Sequence, residues 1–137
     1  MNKAIWLSYD LGVSGDYEGI YAWLAKHGAK ECGDSLAFLN YEYEHDNPLV
    51  ADAERRAKGG SGDDALVRAL KADLGGDTLV RALKADLGGA VRLERKSRIY
   101  VIFMSGEGKP RGKFLFGSRM QAPWTGYGTV EEETADE

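Results

Sequence analysis

Asp64-Ala-Leu-Val-Arg-Ala-Leu-Lys-Ala-Asp-Leu-Gly-Gly76 runs directly into Asp77-Thr-Leu-Val-Arg-Ala-Leu-Lys-Ala-Asp-Leu-Gly-Gly89. The two thirteen-residue units differ only at Ala65 and Thr78. Each unit reads as one short helix. Asp64 or Asp77 takes the N-cap, strong helix formers fill the interior, and the Gly-Gly pair supplies a left-handed C-cap. Leu66, Leu70 and Leu74 fall on one stripe, as do Leu79, Leu83 and Leu87. Solenoids need about three or more units of about 20 residues or longer, so two units of thirteen do not make one. The stretch is one helix of a small domain written twice, by natural or engineered duplication. The linker-like Gly59-Gly-Ser-Gly62 just upstream favours engineering.

Working outward, residues 3–11 hold an unbroken apolar run from Ala4 to Leu7, the mark of a central strand covered on at least one face. Asp16 caps a helix in which Tyr17, Ile20, Tyr21 and Leu24 share a face, and His27-Gly28 ends it. Residues 29–32 form a second strand. Residues 35–44 form a third, with Ala37, Leu39, Tyr41 and Tyr43 on one side. A weak helix follows at 49–58. Beyond the duplicated unit, residues 90–94 can extend and residues 98–104 are a β-branched and aromatic strand. Residues 113–116 return as a hairpin, and Trp124 and Tyr127 pack over a sheet edge or face.

The order is β-α-β-β-α-β. It predicts an α+β, ferredoxin-like two-layer sandwich with a duplicated second helix and a C-terminal β-hairpin extension. Residues 1–128 make one domain, and 129–137 are an acidic, disordered tail. Two near-identical units competing for one docking place would make a bistable element, a conformational switch between registers. The second unit is expected to dock, because only Gly88-Gly89 separates it from the following strand.

The chain has 137 residues, 43% apolar and 29% charged, an ordinary soluble composition. Its net charge of -4 argues against a nucleic-acid-coating protein, although the charge is uneven. Residues 92–119 carry eight basic side chains against two acidic ones, and residues 131–137 carry five acids. Cys32 is the only cysteine, which excludes an intramolecular disulfide and suits a reducing compartment. No apolar run approaches the roughly 18 residues of a membrane span. No signal-peptide pattern opens the chain, so the expected location is cytoplasmic.

Ile5-Trp-Leu-Ser-Tyr-Asp10, followed by a helix, the Asp34-Ser35 strand entry and the strand at 98–103, resembles a group of small ferredoxin-like proteins. The group includes the CRISPR-associated endoribonuclease of the spacer-acquisition complex, virulence-associated protein D and SinR-like proteins. The resemblance implies a homodimer in which the first-strand Asp10 holds Mg²⁺ or Mn²⁺ for phosphodiester hydrolysis of RNA or DNA. Nuclease members often have further acids and arginines soon after that aspartate. Here Leu11-Gly-Val-Ser-Gly15 follows, with no Arg before Arg55.

Other candidates come from the residues themselves. Lys109, Arg111 and Lys113 form a basic hairpin tip able to touch phosphates, in a stretch whose spacing fails as a phosphate-binding loop. Glu42, Glu44, His45 and Asp46 offer metal-ligand types without convergence. Ser35 with His27 or His45, and Cys32 near His27, lack a nucleophile elbow or an oxyanion hole. Tyr41, Tyr43, Tyr100 and Phe103 can stack bases on an open sheet, or pack a core or a dimer interface. Two readings follow. One is a non-catalytic module that binds a protein or nucleic acid. The alternative is a metal-dependent nuclease acting as a homodimer through Asp10.

Overall fold

The computed structural model describes residues 1–44, 48, 52, 55–56, 76–106, 108–119 and 121–128. Its elements are β1 (Asn2–Asp10), α1 (Tyr17–Lys26), β2 (Lys30–Gly33), β3 (Leu36–Glu42), α2 (Asp77–Ala90), β4 (Arg98–Met104) and β5 (Pro110–Phe116). The strands form a five-stranded sheet in the order β2-β3-β1-β4-β5, antiparallel at every pairing. Both helices pack on one face, so the architecture is α+β and compatible with a two-layer sandwich. No helix among the described residues is long and apolar enough to cross a membrane. Most of 49–58, residues 64–75 of the first repeat unit and the tail at 129–137 lie outside the described residues.

Strand alternation sorts the side chains. Ile5, Leu7 and Tyr9 of β1, Ala37, Leu39 and Tyr41 of β3, and Ile99, Val101 and Phe103 of β4 all point to the helices and are buried. Ile20, Trp23 and Leu24 of α1 cover them from one side. Leu79, Leu83 and Leu87 of α2 cover them from the other, each at most 1% exposed. Burying one such leucine stabilises the fold by about 1.5–3 kcal/mol.

Polar contacts hold the two helices in place. The Asp16 carboxylate accepts from the N–H of Arg92 at 2.8 Å, just beyond α2, and from the N–H of Gly19 at 2.9 Å, in the first turn of α1. These two bonds, Arg92's first, lower the Asp16 pKa. The Tyr41 hydroxyl donates to Asp86 of α2 at 3.0 Å. Burial pushes the Tyr41 phenol up, and the Asp86 charge adds to it.

Helix α2 is the second repeat unit, but its ends differ from the sequence reading. Gly76, rather than Asp77, is the N-cap, in the left-handed region at φ 70°. Asp77 is the first helical residue, where its charge suits the helix dipole and accepts from Lys113 Nζ at 3.2 Å. Gly88 and Gly89 lie inside the helix, which ends at Ala90. The reason is tertiary: Val91 is buried, its N–H bonds to Leu87 O at 2.9 Å, and Asp16 holds the next N–H. Of residues 90–94, expected to extend, Ala90 ends the helix and 91–94 form no strand.

These ends also separate the two units. A Cβ on Gly76 would be driven into the ring of fully buried Phe103. The residue preceding the first unit is Asp63, which in the same place would meet both that ring and a left-handed backbone. Docking of the first unit would also put Thr78 where Val91 is buried and Ala65 where Thr78 is buried. The interiors of the two units are interchangeable, and their flanks are not.

Leu83→Ala is therefore expected to cost about 2–5 kcal/mol, measured by denaturant unfolding, and the matching Leu70→Ala to cost less. Equal losses in the two variants would show that both units share the docking place. Gly76→Asp, which gives the second unit the first unit's flank, is expected to lower stability by at least about 1 kcal/mol.

Candidate functional site on the open sheet face

The face of the sheet opposite the helices carries the alternate residues of the same strands. On β1 these are Trp6, Ser8 and Asp10, and on β4 they are Arg98, Tyr100, Ile102 and Met104. At the end of this face where β1 finishes and β4 begins, a cavity of about 730 Å³ opens. That is within the roughly 300–1,000 Å³ range of ligand pockets. Its floor is Ser8, Asp10, Arg98 and Tyr100. Ser35 and Phe114 also line it, with Arg119 and Trp124 from the segment after β5.

Register explains why these residues meet. Asp10 pairs with Arg98 across β1 and β4, and Ser8 with Tyr100. The Arg98 guanidinium donates to Asp10 Oδ2 at 2.6 Å, and the Gly12 N–H donates to Asp10 Oδ1 at 3.2 Å. The Arg98 bond, then the Gly12 bond, lowers the Asp10 pKa, and the Arg119 charge adds to the effect. Ser35 sits at φ 56° in the turn between β2 and β3, where its carbonyl accepts from the Tyr9 N–H at 3.0 Å.

The aromatic wall has its own logic. Tyr100 lies across the backbone of Gly112, where any Cβ would collide with its ring. It meets Phe114 edge-on, with ring centroids 4.8 Å apart. Both rings and the indole of Trp124 line the cavity; Phe114 and Trp124 are exposed, Trp124 at 73%, and Tyr100 is half-buried. Planar rings beside two guanidinium groups suit a ligand that is both flat and anionic.

The other sequence candidates fall elsewhere. Arg111 and Lys113 are opposite Phe103 and Val101, so the register directs them to the helix side of β5. Lys109 is in the β4–β5 turn, its N–H bonded to Ser105 Oγ at 3.2 Å. These three cations thus do not join Asp10. Tyr41, Tyr43 and Phe103 are buried under the helices, and only Tyr100 of that set is on the open face. His27 packs on Trp23 on the helix side, with ring centroids 4.2 Å apart, away from Ser35 on the opposite face. Cys32 is exposed, its thiol 3.7 Å from Leu36 O. His45 and Asp46 lie outside the described residues. Among the described residues, no group of three or more His, Cys, Asp or Glu gathers as a metal site.

Sequence reasoning passed over Arg98, Arg119, Trp6 and Phe38. The available signal was parity: if Ile5, Leu7 and Tyr9 face the core, then Trp6, Ser8 and Asp10 face away from it. Comparison of the chain with family models, with curated proteins and with solved structures found no match in any of the three.

Because the folded pKa of Asp10 is lowered, its ion pair stabilises the protein above the unfolded carboxylate pKa of about 3.9. That stability is lost as pH falls through the folded pKa. Asp10→Asn is expected to lower Tm at neutral pH, by an amount that shrinks as the pH falls below about 3.9, with thermal melts across pH as the readout. A constant difference at every pH would mean that the Asp10–Arg98 pair contributes no electrostatic stability.

Proposed function

We propose that this chain is a non-catalytic interaction module that binds single-stranded nucleic acid on the open face of its sheet. One observation carries the reading: Arg98 and Arg119 adjoin the accessible rings of Tyr100, Phe114 and Trp124 in one cavity. Single strands are held by cations that track phosphates and by aromatic side chains on which bases stack, and this tolerates any base sequence.

Charge distribution supports the same reading despite the net charge of -4. Of the eight basic residues in the stretch 92–119, Arg98 and Arg119 line the cavity; Arg98 is paired with Asp10, which leaves Arg119 as the cation for a phosphate. The strand order β2-β3-β1-β4, with one crossover helix after β1 and one after β3, supports a ferredoxin-like core with β5 added at its edge. In such a core both crossovers pack on one face and leave the other to a ligand.

The second reading is a metal-dependent nuclease acting as a homodimer, with Asp10 binding Mg²⁺ or Mn²⁺. It is favoured by the position of Asp10 at the end of β1, inside the cavity. A hard cation needs carboxylate oxygens. One Asp10 oxygen already accepts from Arg98 and the other from Gly12, which weighs toward the binding module.

Fluorescence anisotropy with labelled single-stranded RNA and DNA tests both readings. Binding without cleavage is expected, and Arg119→Ala should weaken it about tenfold, the weight of a charge-assisted hydrogen bond. Loss of that contact should also reduce the slope of log K against log salt by about 0.7. Absence of binding at low salt would remove the reading. Metal-dependent cleavage abolished by Asp10→Ala would replace it with the nuclease.

A further inference from the structure

The open face holds a second aromatic pair outside the cavity. Trp6 of β1 and Phe38 of β3 are direct cross-strand partners, with ring centroids 5.1 Å apart and planes inclined at 54°. Both are half-buried rather than enclosed, on the face opposite α1 and α2. Their place is not explained by the core, which lies on the other side of the sheet and is complete without them.

The register relates this pair to the first one. Trp6 is opposite Ile102, two residues along β4 from Tyr100, and Phe114 lies one strand further out. The centres of the two pairs are thus two strands apart and offset by two residues, roughly 12 Å across the pleat. One base cannot rest on both. Exposed Ile102, level with Trp6 and next along β4 on this face from Tyr100, gives an apolar surface between them.

A cation stands beside each pair. Arg98 and Arg119 adjoin Tyr100 and Phe114. Lys30 of β2 is exposed and is the direct cross-strand partner of Phe38. Aromatic pair and cation therefore occur twice across one face, in the sequence of contacts that a strand of alternating bases and phosphates requires.

Resting on the proposed binding function, we infer that the ligand is a single-stranded oligonucleotide that spans the sheet, with successive parts of the strand engaged at Tyr100–Phe114 and at Trp6–Phe38. The cavity takes one nucleotide, and Trp6, Phe38 and Lys30 form a second subsite. Affinity then depends on chain length, because the second subsite engages only after the first nucleotide is seated.

Titrations with uridine monophosphate and with oligouridylates of two, four and eight nucleotides test this. The wild-type protein should gain about tenfold or more from monomer to tetramer, the weight of one base–aromatic stack. Trp6→Leu, which keeps an apolar side chain at that position, should lose this gain and leave monomer binding unchanged. Phe38→Leu should do the same, and thermal melts identify any variant that fails to fold. Arg119→Ala should weaken monomer and oligomer alike. Monomer binding with no length gain, or a gain retained in both Trp6→Leu and Phe38→Leu, would overturn the second subsite while leaving the binding module intact. No binding of any nucleotide, with Trp6→Leu instead dissociating a self-associated species in sedimentation, would assign the face to a protein interface and overturn both.

Discussion

Phe103 is fully buried beneath the start of α2, and Gly76 is what lets the helix approach it so closely. That contact fixes the beginning of the helix. Val91 and the Asp16 bond to the Arg92 N–H fix its end. Between them the stripe of Leu79, Leu83 and Leu87 joins the core formed with β1, β3 and β4. The second unit therefore docks through residues on either side of it, Gly76 before and Val91 and Arg92 after, as well as through its leucine stripe. A helix swap needs flanks that match as well as a stripe that matches, and Asp63 does not match Gly76.

The same packing decides where a ligand can go. With both helices on one side, every second residue of β1, β3 and β4 is committed to the core. The remaining residues face away from α1 and α2, and the segment after β5 brings Arg119 and Trp124 to one end of that face. The polar and aromatic side chains there are separated by strand register rather than by loop conformation. A site built on strands keeps its spacing, and that gives two aromatic pairs a defined distance.

Much of this was legible in the sequence. Strand β4 has the bounds expected from its β-branched and aromatic run, and Asp16 caps α1 as its position suggests. The buried faces of β3 and α2 follow their periodicities. The helix ends were harder to read. Gly88-Gly89 looks like a stop because glycine is a poor helix former, yet two tertiary anchors beyond it carry the helix to Ala90. Asp77 looks like an N-cap because aspartate favours that place, yet only glycine fits against Phe103. The site was harder still. Asp10 is visible at the end of β1, but its partner Arg98 is 88 residues away and becomes a neighbour only through the β1–β4 register. Trp6 sits in an unbroken apolar run, where the strand's alternation is hidden until Ser8 and Asp10 declare the outward side. Lys109, Arg111 and Lys113 look like one basic tip in sequence, and strand parity turns the last two toward the helices.

The most direct test of the account is to map, by amide and side-chain NMR shifts, where an eight-nucleotide oligouridylate perturbs the isotope-labelled protein. The account predicts that the changes concentrate at Trp6, Phe38, Arg98, Tyr100, Phe114 and Trp124, with α1 and α2 unaffected. Changes centred on the helices, or none at saturating oligonucleotide, would contradict it.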